Sequence, residues 1–494
     1  MTALVVACLA AGAITFQPQE MPGLNAGPIL SFTVQPSVNY RQADMDGDGL
    51  ADLVFDNALW LQQAGLFPPE RRQLLPKEAV RALMDVDNGR LYCIRDGRLV
   101  VLRWQDGALA AEVDQKLDWP ADENGSSAGL GRFLHDLDGD HQPELVAVDE
   151  HGVTVFAKRE TGYVQAARMT GILPELRYLQ VPQQPVWPKS RRALAFPARQ
   201  VACDLLVDGP SLSILFRDPV QAGQYVFQRE TRMLSVKDGE YQGGVPVTVR
   251  SAPVPEHVRP CRLNGDDIPD LAGCKRVDST GRTVPVSMVE TWASLDDGKT
   301  FDVRRAPAMD RFLPQVPFVD FDGDGLVDMV TESTSLFEGG TRELVERFMT
   351  RASIGHTVRV YPQQPGGFAQ TPAVEFQVEI TLEAPPWRVP PMYGRYQAGT
   401  LVNVSGDFDG DGHRDIAVRD HADRVGVWLA HGGTFFAAPD AVVRIDPASE
   451  YAVADVNGDG RSDIIETCGA ASSSARPGRT VVVHFAVSGK GGTP

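Results

Sequence analysis

Five short stretches of this chain share one spacing of acids and glycines. The first carries Asp44, Asp46, Asp48 and Asp52 around Gly47 and Gly49, and the others begin at Asp136, Asp320, Asp407 and Asp455. Carboxylates on alternate positions of a tight turn repel one another unless a cation sits among them. The spacing therefore signals a metal site. Its recurrence along the chain constrains the fold as well, because a regular internal repeat implies a repeat architecture.

A hard cation such as Ca²⁺ takes six to eight oxygens at roughly 2.3–2.6 Å. Loop positions 1, 3 and 5 converge inside such a turn, position 7 adds a backbone carbonyl, and the acid at position 9 closes the cage. The first loop supplies Asp44, Asp46, Asp48, the Leu50 carbonyl and Asp52. The third supplies Asp320, Asp322, Asp324, the Leu326 carbonyl and Asp328, and the fourth Asp407, Asp409, Asp411, the His413 carbonyl and Asp415. Two loops depart from the pattern. Asp136, Asp138, Asp140 and Glu144 keep four acids, but His141 replaces the second glycine and should strain the turn. In the last loop Asp455, Asn457, Asp459, the Arg461 carbonyl and Asp463 trade one carboxylate for an amide oxygen. About five calcium ions are expected. A sixth copy, Arg262 to Asp270, has Arg at position 1 and reads as a metal-free relic, and Asp85 to Gly89 is a weaker echo.

EF-hands are the other home of such loops, but they need flanking helices and a Glu at position 12. Here β-type runs such as Leu53-Val54-Phe55 and Ile416-Ala417-Val418 follow the acids. The net charge of −18 becomes +1 when the nineteen carboxylates of the five loops are set aside. The acidity is thus largely metal-site acidity. With no basic stripe and an acidic pI of about 5.0, nucleic acid is disfavoured as a partner class.

Repeat units begin near positions 44, 85, 136, 200, 262, 320, 407 and 455 of the 494 residues. Each strong unit reads as a strand entering the loop, a strand leaving it, a third strand, and an aromatic-containing fourth. In the third unit these are 131–135, 145–148, 153–157 and 163–167; in the seventh they are 401–404, 416–418, 425–429 and 435–438. The expectation is an all-β chain forming one β-propeller of four-stranded blades, eight fitting better than seven. The last unit is one strand short, and residues 29–34 are expected to close the ring. The propeller then covers 29–490, with an insertion at 332–356.

On these loops the chain resembles the FG-GAP/VCBS-type repeat propellers, the fold of the integrin α-subunit head and of many exported bacterial proteins. The resemblance covers roughly residues 29–490, and units two, four and five match poorly. It implies calcium on one face of the ring and a binding or adhesion surface elsewhere, for a glycan or protein ligand.

Residues 1–28 read as an export signal or lipoprotein-like N-terminus and linker. The run 1–14 is too short to span a bilayer, and no Lys or Arg precedes Arg41. Val5-Val6-Ala7-Cys8 resembles a lipoprotein cleavage box with Cys8 lipidated; a plain secretion signal fits as well. Either places the protein in the periplasm, at the cell surface or in the medium. Cys261 and Cys274 flank the degenerate loop, and a disulfide there is an alternative clamp to the missing metal.

Connections between strands 2 and 3, and between units, should emerge opposite the acid loops. Two of them carry recognition chemistry. Residues 336–351 hold a short amphipathic pattern through Leu344, Phe348 and Met349. Residues 383–396 gather Trp387, Arg388, Tyr393 and Arg395 among prolines, a composition suited to a sugar or protein contact or to a plain cap on the channel. Enzyme signals are thin. Gly125-Ser126-Ser127-Ala128-Gly129 matches G-x-S-x-G in a polar linker, outside any strand–turn–helix, and Gly298-Lys299-Thr300 lacks the upstream P-loop glycine. A binding module is the leading expectation. The alternative is a calcium-dependent polysaccharide lyase on the same scaffold, for which no catalytic set is found.

Overall fold

A computed structural model describes residues 14–21, 24, 40–55, 57–79, 82–120, 133–149, 152–170, the strand backbones between 201 and 305, 318–334, 353–364, 367–381, 402–421, 423–446, 449–468 and 481–488. The described residues are almost entirely β, with one 3-10 turn at Pro69–Arg71. Among them, no helix is long and apolar enough to cross a membrane.

Among the described residues strands pair antiparallel, mostly with their neighbours in sequence, giving seven four-stranded sheets, one six-stranded sheet and a small two-stranded ribbon. The first sheet is Arg41–Ala43, Asp52–Phe55, Ala58–Trp60 and Arg72–Leu74; the second runs from Leu83–Asp87 to Ala108–Lys116; the third from Leu134–His135 to Gly162–Thr170. The six-stranded sheet begins at Val201–Asp208, and the next at Arg259–Cys261. The last three begin at Phe318–Val319, Val402–Gly406 and Ser449–Ala454. These starts follow the repeat spacing, because each turn-plus-strand unit closes its own hairpins locally.

The apolar positions of each strand pack between sheets. Val54, Leu59, Leu91 and Val100 fill the space between the first two sheets, and Tyr92, Leu99, Leu145 and Phe156 that between the second and third. Val330, Val358, Ile416 and Trp428 join the sixth and seventh, while Val425, Val427, Val453 and Ile464 join the seventh and eighth. One more cluster unites Leu53, Phe55 and Trp60 of the first sheet with Ile465, Val483 and Phe485 of the last. The two ends of the chain's sheet series therefore lie face to face. A glutamine ties such seams twice over. The Gln115 carboxamide donates to the Tyr163 carbonyl (2.6 Å) and accepts from the Tyr163 N–H (2.9 Å), and Gln19 does the same with Phe67.

Several expectations are corrected. The strand completing the last sheet is Ile14–Glu20, which pairs with Val481–Ser488 from Ile14↔Ser488 to Glu20↔Val482. Residues 29–34 lie outside the described residues. Pro18 is tolerated because this strand is the outer edge, where a missing N–H leaves no ladder bond broken. The fourth strand of the seventh sheet is Ala441–Arg444 instead of 435–438. His431 and Thr434 form a tight bridge there, with Gly432 and Gly433 at positive φ, and the chain re-enters the sheet only after that turn. At the 332–356 insertion, strands Asp328–Thr334 and Ser353–Tyr361 pair as far as Thr334↔His356, so the insertion narrows to 335–352. That segment, like 383–396 with Trp387, Arg388, Tyr393 and Arg395, and like Cys8, lies outside the described residues.

Cys261 pairs with Asp270, so Cys274 falls four positions further along the neighbouring strand. At about 3.3 Å per residue that offset is roughly 13 Å, against a Cα separation below about 7 Å for a disulfide. The expected bridge does not fit this register.

Candidate metal centre

Every acid loop joins the first strand of a sheet to its second. In the first loop the Asp44 carboxylate accepts the N–H groups of Gly47 (2.7 Å) and Gly49 (3.0 Å), which folds the turn about its first residue. Asp46 accepts from the Asp48 N–H (3.3 Å), and Asp48 from that of Leu50 (2.9 Å). One oxygen of each is thus tied to the loop. The same pattern recurs with Asp136, Asp320, Asp407 and Asp455 at position 1. In the second loop His141 takes the glycine position with φ 63°, the strained conformation its sequence implies.

The ninth residue is the structural pivot. Asp52 is fully buried; its carboxylate accepts the Met45 N–H (2.9 Å) and, across to the third strand, the Gln62 N–H (2.7 Å). Asp328 binds Phe321 and Gln363 N–H groups likewise, Asp415 those of Phe408 and Ala430, and Asp463 those of Val456 and Ala486. The second loop residue is always apolar and buried: Met45, Leu137, Phe321, Phe408 and Val456. It plugs the loop into the core while its N–H holds the closing acid. That periodic apolar position is visible in the sequence as the residue after each leading Asp.

Four trios bring ligand oxygens within 4.8 Å of one another and could each hold a metal ion: Asp44/Asp46/Asp48, Asp136/Asp138/Glu144, Asp320/Asp322/Asp328 and Asp407/Asp409/Asp415. Asp52, Asp140, Asp324 and Asp411 stand outside these trios, and the Asp455 loop, with Asn457 at position 3, forms no acidic trio. An all-oxygen set with hard carboxylates suits Ca²⁺ or Mg²⁺ better than a soft metal.

Burial, reinforced by Asp46 and Asp48, pushes the Asp52 carboxyl up to about 6 against the bonds from Gln62 and Met45. Burial likewise lifts Asp328 to about 6 and Asp415 to about 7, and raises Asp463 well above its ordinary value. Because these folded-state values exceed the unfolded ones, the metal-free protein holds their contribution at low pH and loses it as pH climbs from about 4 to about 7. A cation requires the ionised forms. The melting temperature in chelator should therefore fall from about pH 5 to pH 8, while the gap between calcium and chelator curves widens. A gap that narrows with rising pH contradicts this.

The loops form one row. The Arg414 N–H donates to the Phe321 carbonyl (2.8 Å), bridging the third and fourth loops. Ser462 and Asp407 exchange two bonds, Ser462 N–H to Asp407 carbonyl (2.6 Å) and Asp407 N–H to Ser462 Oγ (3.0 Å). The Gln42 carboxamide donates to the carbonyls of Asp455 (2.9 Å) and Val456 (2.8 Å), and that of Gln62 to Asn457 (2.5 Å). On the far side, Asp85 accepts from Phe133 (2.8 Å) and Leu134 (3.1 Å) N–H groups, so the weak echo survives as a clamp between the second and third sheets.

The stretch from Asp407 to Ile465 spans the fourth and fifth acid loops. Residues 407–465 match the FG-GAP-like repeat. This FG-GAP-like segment covers the two loops joined through Ser462, with the last three strands of the seventh sheet between them. No curated protein is similar to the chain in sequence. Among solved structures, the WD40 domain of SCAP from fission yeast aligns over 95% of this chain and 98% of its own length, at 8% identity and a TM-score of 0.29. The architecture accordingly rests on the strand pairing and on the contacts between sheets.

Proposed function

We propose that this chain is an exported, calcium-binding β-propeller of eight blades that serves as a binding module for a glycan or protein. The observation that carries the reading is the row of acid loops along one edge of face-packed, four-stranded sheets, two of them within the FG-GAP-like segment. Packing of the first sheet on the last supports a closed ring. In each cage the loop's own N–H groups orient the acids, and a bound Ca²⁺ would supply the charge that lets them approach. Asp44, Asp136, Asp320, Asp407 and Asp455 lead the five cages, with the Leu50, Leu326, His413 and Arg461 carbonyls completing four of them. Outside the cell calcium is plentiful enough to fill weak sites of this kind.

Calcium in this role stabilises the folded chain, since it binds the native cages and not the unfolded polypeptide. Chelation with EGTA should lower the melting temperature by several degrees, with Ca²⁺ restoring it and Mg²⁺ restoring it poorly. A curve indifferent to EGTA in protein shown to be metal-free would remove the premise. The ligand face is the one opposite the acid loops, where 335–352 and 383–396 leave the sheets. Replacing Trp387 and Tyr393 with Ala should abolish glycan-array binding without altering calcium uptake. Release of unsaturated uronate from a pectin-like polymer would instead make the protein a lyase.

A further inference from the structure

We infer that Arg71 is a built-in counter-cation of the first acid loop, making it take up calcium after the Asp320 and Asp407 loops. The inference rests on the calcium reading above. The 3-10 turn Pro69–Arg71 leads out of the loop that follows the third strand of the first sheet, and it aims the Arg71 guanidinium at the Asp44 loop. Arg71 Nη2 lies 2.7 Å from Asp46 Oδ2, and Nη1 lies 4.0 Å from Asp48 Oδ2. Nη1 also donates to the Gln62 carbonyl (2.5 Å), which fixes the side chain in place. The oxygens engaged are the ones not used by the loop's own N–H groups, since Asp46 Oδ1 and Asp48 Oδ1 accept from Asp48 and Leu50. They are therefore the oxygens a cation would use.

Asp46 is 9% exposed and Arg71 29%, so the pair is only partly screened by water. Calcium entering this loop displaces the guanidinium from Asp46 or shares the carboxylate with a second positive charge. Both weaken binding. Arg461 reaches Asp459 of the last loop at a longer 3.6 Å. Among the described residues no Lys or Arg forms an ion pair with Asp320, Asp322, Asp324, Asp407, Asp409 or Asp411. Without such a neighbour among the described residues, the Asp320 and Asp407 loops fill before the Asp44 loop. The same ion pair keeps the Asp44 loop folded when calcium is withdrawn, which suits its place beside the seam between the first and last sheets.

The test is calcium titration of the full chain and of Arg71→Gln by calorimetry, with hydrogen exchange read at each loop. Arg71→Gln should tighten one site by roughly two- to fivefold, the scale of a partly exposed ion pair, and leave the others unchanged. In the wild type, amides of 44–52 should gain protection after those of 320–328 and 407–415. This second readout stands even if the variant does not fold. Unchanged affinities in Arg71→Gln with several ions still bound, or protection of 44–52 arriving first, overturns the inference and leaves the calcium reading intact. A wild type that binds no calcium removes both.

Discussion

Asp415→Ala is expected to destabilise the protein by about 2–6 kcal/mol, far more than loss of any acid at the exposed rim of a loop. The substitution strands two buried donors, the Phe408 N–H (2.6 Å) and the Ala430 N–H (2.8 Å), each worth about 1–3 kcal/mol when left without an acceptor. Asp411, by contrast, is exposed and accepts from the neighbouring His413 N–H within the loop (2.8 Å). The comparison separates two roles. In calcium both Asp411→Ala and Asp415→Ala should lose stability, because both remove a ligand. In EGTA only Asp415→Ala should remain destabilised, because its bonds fasten the first, second and third strands whether or not metal is present. Equilibrium denaturation in each buffer reads the difference, and equal effects in EGTA would deny Asp415 its pivotal place.

The second large effect lies outside the acid row. Glu466 accepts the Asp446 N–H (2.6 Å) and the Ser449 hydroxyl (2.5 Å) on one oxygen and pairs with His484 Nε2 (3.0 Å) on the other. Arg419, 2% exposed, donates to the Ser449 carbonyl (2.5 Å) from the seventh sheet. This buried network pins the crossing from the seventh sheet to the eighth. Removing one partner of such a network typically costs about 3–5 kcal/mol, so Glu466→Ala should fall in that range. Burial works against the ionised carboxylate, but the bonds from His484, Ser449 and Asp446 outweigh it and hold Glu466 below its ordinary value. With a folded value below the unfolded one, its contribution is present above the unfolded value and is lost as pH falls through the folded one. The stability gap between wild type and Glu466→Gln should therefore shrink toward acid, the opposite sign to the loop acids. A gap independent of pH would show that the carboxylate charge contributes nothing.

The sheets and acid loops were legible because their causes are local. An Asp that folds a turn by accepting N–H groups three and five residues on leaves its mark in the spacing, and so does the glycine that adopts positive φ there. His141, at φ 63°, shows that even the exception could be read. What escaped is set by distance along the chain. The strand Ile14–Glu20 meets its partner more than four hundred residues away, and its apolar start merges with the run before it. Arg71 reaches Asp46 across 25 residues, and Ser462 reaches Asp407 across 55, with nothing in either segment to announce the pairing. Cysteines flanking a loop are near in sequence, but only the strand register decides whether their Cα atoms face each other.

The acid loops are either cation cages or merely tight turns. The most direct measurement is a calorimetric count of calcium ions taken up by chelator-treated protein, made on the wild type and on Asp407→Ala. About five ions in the wild type, and one fewer in the variant with the remaining affinities nearly unchanged, is the predicted result. Uptake of one ion or none by a protein that is folded would contradict it, and would leave the row of aspartates as turns held by their own N–H groups.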